Sequence, residues 1–195
     1  MKVLATALTV LCLFTHCHVG NAAKDYDWGI GVFGGKFYDS AIGDFLFFKN
    51  SKFLDHYMVG ITADKTLWRA QSYPLSLQIE GLLAYQFGKD SFMEFGVAPR
   101  LTWSGFPWND YLYTRFRVAP IGASMTSARS KLERNKGDGA RLLYYCFVEI
   151  AFSPPNATKN ELFLRLHHRC SFFNQLSNKK INGEDFLLLG FRRNF

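Results

Sequence analysis

The chain is short of cysteine, has no long apolar run and contains no stretch that reads as a linker. Only four of its 195 residues are cysteine. Two of these, Cys12 and Cys17, fall in an N-terminal stretch built like a secretory signal. Lys2 supplies the positive start, Val3 to Phe14 the apolar core and Gly20 to Ala23 the small-residue exit. Cleavage is expected near Ala23, taking both cysteines with it and leaving Cys146 and Cys170. Two cysteines are too few for the disulfide framework of a small secreted domain. The apolar core of the signal is too short to span a bilayer as a helix, and no later segment reaches the roughly 18 unbroken apolar residues such a span needs. Without a Pro-, Gly- or Ser-rich linker, residues 24–195 read as one domain of ordinary size. The formal charge of +7 comes from basic residues spread along the chain rather than clustered, so nucleic acid is not the expected partner. A phosphate-bearing lipid fits the balance better.

What the sequence does contain is alternation. Leu75, Leu77, Ile79, Gly81, Leu83, Tyr85 and Phe87 alternate with Ser76, Gln78, Glu80, Leu82, Ala84 and Gln86, a period of two that marks a long strand with one apolar face. Similar segments are Trp28 to Phe37, Phe53 to Thr62, Phe92 to Trp103, Leu112 to Ser124, Leu142 to Phe152, Leu162 to Ser171 and Asp185 to Phe195. About eight strands result, a number that closes a small barrel and removes exposed sheet edges. Reversals fall at Gly88 to Ser91, Gly105 to Asp110 and Ser153 to Asn156, where turn-forming residues gather. The expected fold is therefore all-β, an eight-stranded antiparallel barrel, with a two-sheet sandwich as the competing all-β arrangement.

The second face of these strands collects Glu80, Glu94, Arg100, Arg115, Arg117, Glu149, Arg165, Arg169 and Arg192, while the first is almost wholly apolar. Mixed charges can neutralise one another inside a narrow barrel whose outer face meets lipid. A soluble lipid carrier would turn the same two faces the other way. Trp103, Trp108, Tyr111 and Tyr113, near strand ends, suit an aromatic girdle at a membrane boundary.

Chemistry concentrates near the end of the seventh strand. Side chains alternate along a strand, so His168 and Cys170 share a face at roughly 7 Å between Cα atoms, and His167 and Arg169 share the other. A base and a nucleophile thus stand together at the end of the apolar stripe Leu162, Leu164 and Leu166, and an apolar substrate follows. Ser171 has the opposite phase and would reach His168 only through a bulge. Two ligand types, His168 and Cys170, could begin a zinc site, but no third and fourth partner is visible. Cys146, among Leu142, Tyr144, Val148 and Ile150, reads as a small apolar packing residue. The polar run Arg129 to Arg141 reads as a solvated loop.

The stretch Leu164-Arg-Leu-His-His-Arg-Cys170, the upstream Phe106-Pro-Trp-Asn109 and the closing aromatic strand ending in Phe195 resemble the lipid A 3-O-deacylase and acyloxyacyl hydrolase-like outer-membrane barrels. The terminal Phe itself resembles the C-terminal signature of bacterial outer-membrane barrels. In the deacylase family a His and a Ser two residues on, supported by an acid from the last hairpin, hydrolyse an ester-linked acyl chain of lipopolysaccharide. The resemblance implies that His168 is the general base, that Cys170 holds the nucleophile position and that the supporting acid is Glu184 or Asp185. Position within the hairpin favours Glu184. Asn174 and loop N–H groups are candidates for the oxyanion hole. No cofactor is implied, the partner is lipid A in the outer membrane, and the site faces outward near the membrane surface. The departure of Cys170 from Ser leaves a second reading, a structural or adhesive barrel that keeps the scaffold without the activity.

Overall fold

The computed structural model describes residues 26–39, 52–132, 140–171 and 184–195. Nine strands run in chain order: β1 (Trp28–Asp39), β2 (Lys52–Arg69), β3 (Leu75–Phe87), β4 (Phe92–Trp103), β5 (Tyr113–Ala119), β6 (Ala123–Thr126), β7 (Leu142–Ser153), β8 (Asn160–Cys170) and β9 (Glu184–Asn194). All strand pairings are antiparallel, and β9 returns to pair with β1. The sheet therefore closes and leaves no edge.

β5 and β6 are two segments of one barrel stave, because both pair with β4 on one side and β7 on the other. Eight staves result, an eight-stranded antiparallel closed barrel. Sequence alternation joined Leu112 to Ser124 as one unbroken strand, and the structure corrects this. Leu101 lies opposite Val118, whereas Val97 lies opposite Ala123, so the stave carries one residue more than its partner. The extra residue falls in Pro120 to Gly122, as in a β-bulge, where Pro cannot donate to the ladder. Lumen-facing positions accordingly switch from Arg117 and Ala119 to Ser124 and Thr126. β2 runs on to Arg69, past the expected end at Thr62, with a register irregularity between Thr66 and Trp68. Between β3 and β4 the chain reverses through Gly88, whose φ of 119° suits a residue without Cβ.

The two faces resolve the ambiguity that alternation leaves. Ile30, Val32, Val59, Ile61, Leu83, Val97, Leu162, Leu164, Leu189 and Phe191 point outward and are exposed. Arg100, Arg117, Arg165, Arg169, Arg192, Glu80, Glu94, Glu149 and Glu184 point inward and are buried. An apolar exterior around a charged interior is the arrangement of a barrel bathed in lipid, and the inverse of a soluble carrier. Among the described residues no helix is long and apolar enough to cross a membrane.

The lumen is filled rather than open. Arg165 donates to Glu80 at 2.7 Å and to Glu149 at 2.5 Å. Arg192 meets Glu149 at 2.6 Å and Glu161 at 3.0 Å, and Arg117 joins the same two acids at 2.8 and 2.7 Å. Arg100 bridges Asp64 at 2.7 Å and Glu80 at 2.5 Å. Aromatic rings share the interior: Arg165 lies over Phe147 at 3.9 Å and Arg192 over Phe163 at 4.6 Å.

All four tryptophans, Trp28, Trp68, Trp103 and Trp108, gather at the rim that also holds Phe195. Short connections, 70–74, 104–112 and 154–159, join the strands there. Connections 40–51, 88–91, 127–141 and 171–183 leave from the opposite rim, three of them longer than any at the tryptophan rim.

Removing one partner of a fully buried ion network strands the other, at a cost of about 3–5 kcal/mol. Arg165→Met is expected to lower the unfolding free energy of the detergent-refolded barrel by that order and so shift its midpoint down, read by tryptophan fluorescence in denaturant. Lys36→Met, which breaks the solvent-exposed pair with Asp55, is expected to leave the midpoint unchanged. Equal effects would show that the lumen network does not hold the barrel together.

Candidate functional site on the outer wall

β8 and β9 are joined at the rim opposite the tryptophans, and their register sets His168 directly across from Asp185. The imidazole Nδ1 lies 2.5 Å from Asp185 Oδ1. With Nδ1–H donating to the carboxylate, Nε2 carries the lone pair and is available as a base. Asp185 is almost fully buried and the His168 side chain is 18% exposed, so the pair is shielded yet reachable. Cys170, the last residue of β8, is a hydrogen-bonding neighbour of the imidazole. Acid, base and thiol thus stand together on the outer face, above the stripe Leu162, Leu164 and Leu166.

The remaining sequence candidates fall elsewhere. Glu184, favoured by its position in the hairpin, has the opposite strand phase and lies in the lumen. There it accepts from Arg169 at 3.0 Å and Gln86 at 3.3 Å and pairs closely with Ser130. The acid against His168 is therefore Asp185. Ser171 is buried, and the β7–β8 register runs without a shift through Cys170, so no bulge turns Ser171 toward His168. His167 lies inside, 3.2 Å from Glu94 and against the Tyr145 ring. Asn174 lies outside the described residues.

Two neighbours escaped the sequence reading. Cys146 of β7 sits directly opposite His168, and its thiol is a hydrogen-bonding neighbour of Cys170. Tyr38 of β1 is fully buried and is an electrostatic neighbour of Asp185. Apolar company made Cys146 look inert, and only the β7–β8 register, which the sequence does not print, brings it to the site.

Beside the site the outer wall is dented. A groove of about 450 Å³ is lined mainly by apolar residues, among them Gly34, Val59, Phe87, Leu164, Leu187 and Leu189, and also by Lys36 and Tyr57. Gly34 opens it, since a Cβ there would stand 3.5 Å from Val59 and anything larger would occupy the space. Register ties groove to site: Gly34 faces Leu189, Lys36 faces Leu187, and Asp185 follows two residues along β9 on the same face. Lys36 pairs with Asp55 at 2.9 Å and lies over the Tyr57 ring at 5.3 Å. Among the described residues no group of three or more His, Cys, Asp or Glu is placed to hold a metal ion.

Closed, eight-staved, apolar outside and charged inside, the chain has the fold of an outer-membrane barrel. Among solved structures it is similar to the outer membrane enzyme PagL, with a TM-score of 0.56 and 15% identity over 86% of this chain and 99% of that one. Neisserial surface protein A, at 11% identity over 86% and 96% of the two chains, gives 0.46. The Yersinia pestis outer membrane protein Ail, at 12% identity over 86% and 99%, gives 0.44. No protein-family model matches the chain, and no curated protein matches it.

A proton held between Nδ1 and Asp185 is expected to exchange slowly and to resonate far downfield in the proton NMR spectrum of the barrel in detergent. Asp185→Ala should abolish that signal and Glu184→Gln should preserve it. The reverse pattern would reassign the acid.

Proposed function

We propose that this barrel is an outer-membrane hydrolase that removes an ester-linked acyl chain from lipid A of lipopolysaccharide. The observation that carries the reading is the His168–Asp185 pair beside Cys170 on the apolar outer wall, next to an apolar groove. The site stands where the apolar wall meets the rim, a position that suits an ester whose acyl chain is anchored in lipid. An acyl chain lying in the groove would bring its carboxyl end toward Asp185, His168 and Cys170. The resemblance of residues 164–170 to the lipid A deacylases supports the same substrate, and the fold supports an outer-membrane location reached after removal of the signal. Longer connections belong on the external side of such barrels, so the site rim faces outward, toward the leaflet that holds lipopolysaccharide. The excess of basic residues suits a phosphorylated lipid.

In the mechanism, His168 Nε2 takes the proton of the Cys170 thiol and the thiolate attacks the acyl carbonyl. Collapse of the tetrahedral adduct breaks the ester C–O bond, and the imidazolium returns the proton to the departing sugar oxygen. His168 then takes a proton from water, whose oxygen attacks the thioester. The fatty acid leaves, and Cys170 recovers its proton from His168. Asp185 holds the imidazole in the productive tautomer and stabilises the imidazolium throughout. No cofactor enters any step.

The deciding experiment is mass spectrometry of lipid A from cells carrying wild type, His168→Ala or Cys170→Ala at matched, membrane-inserted levels. Wild type is expected to yield lipid A short of one hydroxyacyl chain. Each variant should be slower by about 10²–10⁴-fold, the range that a positioned acid–base group contributes. Ser171→Ala should retain activity. Unchanged lipid A with folded, surface-exposed wild type would support the structural or adhesive reading instead.

Filling the groove gives an independent check. Gly34→Phe should raise KM about tenfold or more for long acyl chains while sparing kcat on short-chain esters. An unchanged KM would remove the groove from the substrate path.

A further inference from the structure

We infer that Cys146 and Cys170 form an oxidisable dithiol, a site of reversible covalent modification by disulfide-bearing oxidants in which Cys146 is the resolving partner of Cys170. The register pairs Cys146 with His168 and Tyr144 with Cys170, so the two thiols are diagonal neighbours on one face of adjacent strands. Neither is in a disulfide, and both are half-buried. The Cys146 and Cys170 thiols are close enough to interact, and the Cys170 thiol also neighbours the His168 imidazole. One thiol therefore has a base beside it, and the second stands behind it.

The bridge must close across a diagonal. Such neighbours lie roughly 7–8 Å apart at Cα, just beyond the usual span of a disulfide, so the two strands must draw together. They can do so because both end at this rim: β7 begins at Leu142 and β8 stops at Cys170 itself. A bridge closed that way near an exposed rim is of the readily reduced kind, which suits a reversible modification.

The exchange is balanced with a disulfide such as glutathione disulfide as oxidant. His168 takes the Cys170 proton, and the thiolate attacks one oxidant sulfur. The oxidant S–S bond breaks, one thiol departs with that proton, and a mixed disulfide remains on Cys170. The Cys146 sulfur then attacks the Cys170 sulfur and expels the second thiol, which leaves with the Cys146 proton. The protein gives up two electrons and two protons as a new S–S bond forms, and the oxidant becomes two thiols.

Only the effect on catalysis rests on the deacylase reading; the modification itself does not. The test treats the full-length membrane-inserted barrel with glutathione disulfide, blocks remaining thiols with iodoacetamide and maps peptides without reduction. Wild type is expected to give a linked peptide pair containing Cys146 and Cys170, lighter by two hydrogens than the separate peptides. Cys146→Ser, or Cys146→Ala should the first fail to insert, is expected to stall with glutathione on Cys170. Glutathione remaining on Cys170 in wild type, bridges only between molecules, or two alkylated thiols would each overturn the proposal. Lipid A deacylation lost on oxidation and restored by dithiothreitol would support both readings. A bridge that forms while deacylation continues would keep the dithiol and remove Cys170 from the nucleophile position.

Discussion

Everything in this barrel depends on charge neutralisation in its lumen. A carboxylate or guanidinium taken out of water alone is prohibitively costly, and a buried pair is tolerable only when geometry and further hydrogen bonds are complete. Here Asp64, Glu80, Glu94, Glu149, Glu161 and Glu184 are matched by Arg100, Arg115, Arg117, Arg165, Arg169 and Arg192, with one guanidinium for each carboxylate. Every stave except β1 contributes to this network, so the charged side chains tie sequence-distant strands across the interior. With polar groups consumed inside, the outward positions are free to be apolar, and the wall can face lipid.

That inversion also determines where chemistry can occur. A packed lumen admits no substrate, so a reactive group must lie on the wall or at a rim. His168 and His167 illustrate the choice, adjacent in sequence but on opposite faces. His167 is consumed by Glu94 and the ring of Tyr145, as a structural histidine should be. His168 faces outward and is held by Asp185 at 2.5 Å. An unpaired carboxylate on the outer wall would meet lipid, and the bond to His168 helps to stabilise Asp185 there.

The fold was legible because a period of two survives any error in strand ends. Charges on one face and aliphatic residues on the other fit a barrel, and the structure's apolar exterior around a charged interior gives the membrane setting. Three features were not legible. Alternation across Leu112 to Ser124 concealed the Pro120–Gly122 bulge, because a one-residue insertion shifts phase without changing composition. Choosing between Glu184 and Asp185 required knowing where the last strand begins: with Glu184 its first residue, strand phase sends Glu184 inward to Arg169 and Asp185 outward to His168. Position in the hairpin pointed the other way because it carries no phase. Cys146 needed the β7–β8 register, an interaction between segments that no local pattern contains.

The thiol at position 170 links the two chemistries proposed for the site. A serine hydroxyl would need His168 to make it nucleophilic and would be indifferent to oxidants. A thiol is ionised more readily and attacks carbon and sulfur alike, so a base that served the proposed acyl transfer would also serve exchange with a disulfide. In the oxidising surroundings of a cell envelope such a thiol is exposed to further, irreversible oxidation. A second thiol diagonally across β7 gives the first oxidation step a reversible end point. On this argument Cys146 belongs with Cys170 rather than with its apolar neighbours, and on the proposed function a cysteine at position 170 gains its sense from the residue facing His168.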